Sequence, residues 1–192
     1  MTALYDRRQA LPAPALQTTQ WLNTPHPIDL AALRGKVVVL HAFQMLCPGC
    51  VMQGLPQAER VHRLFRNQDV AVIGLHSVFE HHVVMTPQAL EAFVHEYRWS
   101  FPIGIDQPDG HNGIPLTMRT YALRGTPSLI LIDREGRMRL HHFGHLDDLV
   151  LGAAIGQLLS EPAGVAAGRD EPKHPSIEAS GDCAQGVCAV RT

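Results

Sequence analysis

The sequence predicts an α/β chain: a central mixed β-sheet flanked by helices, with an N-terminal extension and a flexible C-terminal tail. Three observations carry this. Two β-branched apolar runs, KVVVLHAF (36–43) and DVAVIGL (69–75), are separated by a helical pattern, as expected of parallel strands joined by a crossover. PSLILID, the turn REG and RMRLHHF form a strand–turn–strand signature, an antiparallel hairpin. Helical periodicity returns in LDDLVLGAAIGQLL (146–159) and then stops.

Taken in order, residues 36–43 are a buried strand because apolar residues run on without alternation. After Pro48, the spacing of Val51, Leu55, Val61, Leu64 and Phe65 predicts a helix over 48–67, broken or bent at Pro56. Residues 69–75 are a second buried strand. TPQALEAFVHEYR (86–98) begins a helix with Thr86 as N-cap and Pro87 at the first helical position. FPIGID is a short extended segment, and PLTMRTYAL (115–123) a short helix. The domain thus spans 14–159, residues 160–182 form a Pro-, Gly- and charge-rich linker, and 183–192 form a tail.

A chain of 192 residues suffices for one domain with a core plus appended segments. A net charge of −2 points away from nucleic acid or acidic lipid as partner. The sequence has no apolar run long enough to span a membrane and no signal-peptide h-region near its start, so the expected compartment is cytoplasmic. Four cysteines fall into two tight pairs, Cys47/Cys50 and Cys183/Cys188. In that compartment, such pairs serve catalysis or metal binding more often than they act as structural staples.

CPGC (47–50) lies between a buried strand and a helix. Cys47 falls at the N-cap, where unpaired N–H groups and the helix dipole favour an anion, and a thiolate is the nucleophile. Lowering a thiol pKa from about 8.5 to about 7 requires roughly 2 kcal/mol, while a helix end supplies about 0.3–1. Further hydrogen-bond donors around Cys47 are therefore expected. Cys50, one turn on, is placed to resolve a mixed disulfide. Two alternatives accompany this assignment: both cysteines as small buried hydrophobes, or half of a zinc site completed by the tail pair.

LRGKVVVLHAFQMLCPGC together with YALRGTPSLILIDREGRMR resembles the thioredoxin-like redoxins, in particular the TlpA/ResA-like branch bordering the AhpC/TSA peroxiredoxins. The resemblance covers residues 14–159. It implies a thioredoxin fold and a thiol-disulfide oxidoreductase with no cofactor beyond a Cys47–Cys50 redox disulfide. Cys47 would be the nucleophile, Cys50 the resolving residue, Pro127 the cis-proline facing them, and Thr126 the residue offering its backbone to substrate. This sequence departs from the family pattern in places. His41 stands where the family has Asp or Asn, and becomes the candidate proton acceptor for Cys50. Leu46 replaces an aromatic, Gln53 replaces a Glu, and the helix proline lies six residues after Cys50 rather than five.

The implied partners are a protein or low-molecular-weight disulfide and a thiol reductant. Two further functions fit the scaffold: a peroxiredoxin-like thiol peroxidase, and a non-enzymatic binding or metal-handling module. The peroxidase needs a Pro and a Thr ahead of its Cys. Leu40 and Gln44 stand there instead, while Arg124 fits either pattern. Cys183 and Cys188 suggest a shuttle dithiol swinging onto CPGC. His81-His82 with Met85, and His141-His142 with His145, are metal-ligand types, but adjacent strand residues point to opposite faces. No metal site is assigned.

Overall fold

The computed structural model describes residues 4–65, 68–110 and 113–162, together with the backbone of 183–184 and 187–188. Six strands form one sheet in the order β1-β4-β3-β2-β5-β6: β1 Thr18–Leu22, β2 Val37–Phe43, β3 Val70–His76, β4 Ile103–Asp106, β5 Ser128–Ile132 and β6 Met138–Phe143. β2, β3 and β4 are parallel, and the β5–β6 hairpin extends the sheet antiparallel from β2. The expected mixed sheet is present, and FPIGID supplies its third parallel strand.

β2 is central and wholly buried, so its alternating side chains feed two cores. Val37, Val39 and Phe43 pack with Leu55 and Ala58 of α1 (Leu55–Leu64), Leu90 and Val94 of α2 (Pro87–Tyr97), and Leu151, Ile155 and Leu158 of α4 (Asp148–Ser160). Val38, Leu40 and Ala42 pack on the other face with Met118 of α3 (Leu116–Thr120), Tyr121 and Leu123. Thr86 caps α2 as predicted, its side chain accepting from the Ala89 N–H.

The helix after CPGC begins at Pro48, but its turn over Cys50–Gly54 is π-helical, the Leu55 N–H donating to the Cys50 carbonyl. A π turn holds one residue more than an α turn. The predicted irregularity near Pro56 is therefore a widened turn just before the proline, which itself sits harmlessly in the first turn of α1.

β1 is not foreseen by the sequence analysis. TTQWL pairs antiparallel with β4 at the sheet edge. The packed chain also starts earlier than residue 14. The Tyr5 N–H donates to the Arg139 carbonyl and the Met138 N–H to that of Leu11, laying the first segment along β6. The Arg139 side chain is buried and joins three parts of the chain, donating to the Tyr5 carbonyl, to Asp133 and to Glu161 just past α4.

Arg139→Ala should destabilise the fold by about 3 kcal/mol, because it removes the charged partner of buried Asp133 Oδ2, leaving that carboxylate only the Glu135 and Arg137 N–H bonds at Oδ1. Urea unfolding should show a lower midpoint with an unchanged slope.

Candidate active site

Cys47 caps the helix as its position predicts. Its carbonyl accepts from the Val51 N–H at 3.1 Å, and its Sγ accepts from the Cys50 N–H at 3.2 Å. The Cys47 thiol in turn donates to the Thr126 carbonyl at 3.4 Å. Both cysteines are free thiols, Cys47 half-buried and Cys50 fully buried. The exposed Leu46 side chain stands beside Cys47.

The two thiols have different environments. Burial, reinforced by hydrogen bonding with Cys47, pushes the Cys50 thiol up to about 12. The Gln44 backbone and the Thr126 side chain act in the opposite sense, favouring a Cys50 thiolate. Two of the Cys50 influences, a hydrogen bond and a coulombic interaction, come from Cys47 itself.

Thr126 and Pro127 reach this site because β5 starts directly after them and lies beside β2, with Ala42 opposite Ser128. The Thr126–Pro127 bond is cis, as the resemblance implied. A Cβ at Gly49 would stand 3.3 Å from the Pro127 ring, so the Pro-Gly pair between the cysteines lets helix and proline loop pack closely.

His41 lies under the helix. A Cβ at Gly54 would run into its Cε1 and lie 3.4 Å from Pro127 Cβ, so imidazole, widened turn and proline loop are packed together. Its Nδ1 is buried with no hydrogen-bond partner among the described residues. Burial, with a smaller contribution from His145, lowers its pKa to about 4. The imidazole is thus neutral at pH 7 and a weak base, where the proton-acceptor role drew on an imidazole titrating near neutrality.

Gln44 and Arg124 are engaged elsewhere. The buried Gln44 side chain accepts from the Phe79 N–H at 3.2 Å and donates to Glu80 at 3.3 Å, fastening the segment after β3 to the loop that carries Cys47. The Arg124 guanidinium lies 5.3 Å from the Phe143 ring centroid. Gln53 is exposed. Of the two histidine clusters, His142 Nε2 contacts the His145 carbonyl at 3.3 Å, and His82 lines a separate cleft. That cleft, about 550 Å³, lies beyond the C-terminal ends of β3 and β4, with Val78, Met85, Ile105 and Pro108 in its walls. Its walls come mainly from the segments SVFEHHVVMTPQ and DQPDGHNGIPLTM, which are distant in sequence and carry no motif that assigns them a role. Of the tail pair, only the backbone of Cys183 and Cys188 is described, and residues 163–182 of the predicted linker lie outside the described residues.

The AhpC/TSA family model matches residues 9–141. The chain belongs to the AhpC/TSA family. This redoxin is also similar to the thiol-disulfide oxidoreductase ResA of Bacillus anthracis, 27% identical over 111 residues, 58% of this chain and 57% of that one. The thioredoxin-like superfamily protein SPOA0173 is 57% identical with a TM-score of 0.78, over 81% of this chain and 100% of that one. A thiol-disulfide isomerase from Corynebacterium glutamicum is 53% identical with a TM-score of 0.75, over 78% of this chain and 98% of that one. Protein DipZ of Mycobacterium bovis is 32% identical over 145 residues, 74% of this chain. The redoxin spans only about 20% of the length of that relative. The fold is the thioredoxin fold.

The burial of His41 and His76 gives stability a definite pH dependence. Both imidazoles are pushed down to about 4 by burial. Between that value and the ordinary 6.5 or so, the unfolded chain binds protons that the folded chain does not, so stability is full above about pH 6.5 and falls towards pH 4. The loss should be about 3 kcal/mol for each buried imidazole. Urea unfolding at a series of pH values measures it, and His76→Gln should remove part of the slope.

Proposed function

We propose that the redoxin is a thiol-disulfide oxidoreductase in which Cys47 and Cys50 exchange electrons with protein or small-molecule disulfides, a thiol reductant supplying the electrons. The observation that carries this is the asymmetry of the pair: a half-exposed Cys47 at a helix N-cap beside a buried Cys50 whose thiol is held protonated.

Cys47 is the attacking sulfur, half-exposed at the helix N-cap while Cys50 is buried. Its thiolate keeps the Cys50 N–H bond and the favourable helix end, while Cys50 is held back by burial. Attack on a substrate disulfide joins one substrate sulfur to Cys47 and releases the other as a thiolate. With Cys47 now in a mixed disulfide, its hydrogen bond and charge no longer oppose ionisation of Cys50. The Gln44 backbone and Thr126 side chain then favour the Cys50 thiolate. That thiolate attacks Cys47 Sγ, closing the Cys47–Cys50 disulfide and expelling the reduced substrate. The Thr126 carbonyl, which accepts from the Cys47 thiol in the free protein, lies where an extended substrate segment would pass the reactive sulfur. His41 contributes packing beneath the proline loop. Cys183 and Cys188 serve this couple as a second dithiol in the same proposal.

Disulfides rather than peroxide are the favoured substrate because Gln44 spends its side chain on Phe79 and Glu80, and Arg124 stacks on Phe143. Insulin-disulfide reduction should fall to background in Cys47→Ser, while hydrogen peroxide consumption by the wild type stays near that of free thiols. Sustained peroxide turnover without disulfide reduction would overturn the assignment. Thr126→Val should slow release of substrate from the mixed disulfide by roughly 10- to 100-fold, the effect of losing a hydrogen bond to a charged sulfur. Acid-quenched time courses should show that mixed disulfide accumulating.

A further inference from the structure

Cys183 and Cys188 are direct Cα partners across two short antiparallel strands, β7 (Cys183–Ala184) and β8 (Val187–Cys188), with Ala184 opposite Val187. Such partners have Cα atoms about 4.5–5.5 Å apart, inside the roughly 4.4–6.8 Å a disulfide requires. The backbone register is therefore that of a pair able to close into a disulfide and reopen.

The site where the chain leaves the domain supplies the second half. Arg139 ties Glu161 to Asp133, which follows β5; Ile132 at the end of β5 faces Val38 near the start of β2. The chain therefore departs from the end of the sheet opposite Cys47. The seven residues of β2 and the loop after it make this span about 25 Å, at about 3.3 Å per strand residue. Twenty-one residues, 162–182, separate Glu161 from Cys183, and at no more than about 3.4 Å per residue a chain of that length is long enough to cover the span.

We infer that Cys183 and Cys188 form an internal dithiol that re-reduces the Cys47–Cys50 disulfide, an inference that rests on that couple being the reaction centre. Cys47 is the sulfur open to attack, since Cys50 is fully buried. A tail thiolate attacks Cys47 Sγ, breaking the Cys47–Cys50 bond and releasing Cys50 as a thiolate that takes up a proton. The second tail thiolate attacks its neighbour's sulfur in this mixed disulfide and releases the Cys47 thiolate. Two electrons pass from tail to couple, and the tail is left as the Cys183–Cys188 disulfide. An external dithiol reductant then returns it to the thiol form.

The test uses fully reduced, full-length chains freed of reductant and mixed with excess small aromatic disulfide, counting disulfides consumed per chain in the rapid phases. The wild type should consume two, the Cys183→Ser/Cys188→Ser variant one, and Cys47→Ser none. After a single equivalent, acid quench and peptide mapping of the wild type should find the Cys183–Cys188 disulfide. A Cys183→Ser/Cys188→Ser chain mixed with a Cys47→Ser/Cys50→Ser chain, each at about 10 µM, should transfer electrons about 100-fold more slowly than the wild type does within one chain, given a tethered concentration of about 1 mM. Consumption of one disulfide by the wild type would overturn the inference. So would rapid consumption by Cys47→Ser, or a disulfide that stays at Cys47–Cys50. Wild-type consumption no faster than that of Cys47→Ser would instead overturn the couple as the reaction centre.

Discussion

Across the ladder between β2 and β5, Ala42 faces Ser128 and His41 faces Leu129. The two chain segments beyond that ladder meet at its end, one carrying CPGC and the other Thr126-Pro127. A slip of one residue would turn every β2 side chain to the opposite face, exchanging His41 with Leu40. It would also part Cys47 from the Thr126 carbonyl. The register is firmly held because β2 is buried on both faces and paired on both edges. The reactive sulfur thus sits on a loop whose placement belongs to the most rigid part of the sheet.

On that scaffold, two chemically identical side chains become different reagents. Cys47 receives a helix end, an N–H donor and access to solvent; Cys50 receives burial. The difference lies in surroundings supplied by two loops, and it makes exchange sequential: one sulfur reacts with the substrate, and the other ionises once the first is bonded. Gln44 extends the same control outward by holding the segment after β3 against the reactive loop.

Much of the fold was legible because its signals are local. The runs at 36–43 and 69–75, the hairpin from Ser128 to Phe143, and the Thr86-Pro87 helix start all appear where the pattern places them. The placement of Cys47 at a helix start and the approach of Thr126-Pro127 were likewise foreseen, the latter through resemblance. β1 escaped because TTQWL is short, partly exposed and weakly alternating, and becomes a strand by pairing with β4. The segment from Tyr5 to Leu11 escaped because backbone hydrogen bonds and ion pairs hold it, neither of which leaves an apolar period. For His41, the position was readable but the burial was not, because it depends on Gly54 arriving from the helix, and that burial decides the charge of the ring.

The proline six residues after Cys50 and the π-helical turn at Cys50–Gly54 are two aspects of one event. In a regular helix, one additional residue rotates everything beyond it by about 100° about the axis. Such a rotation would swing Leu55 and Ala58 out of the core or drag the cysteines off their loop. The widened turn absorbs the extra residue locally, so the two halves of the helix keep separate rotational phases. One half is set by the sulfur chemistry and the other by the packing of α1, and each is free to vary in sequence without misaligning the other.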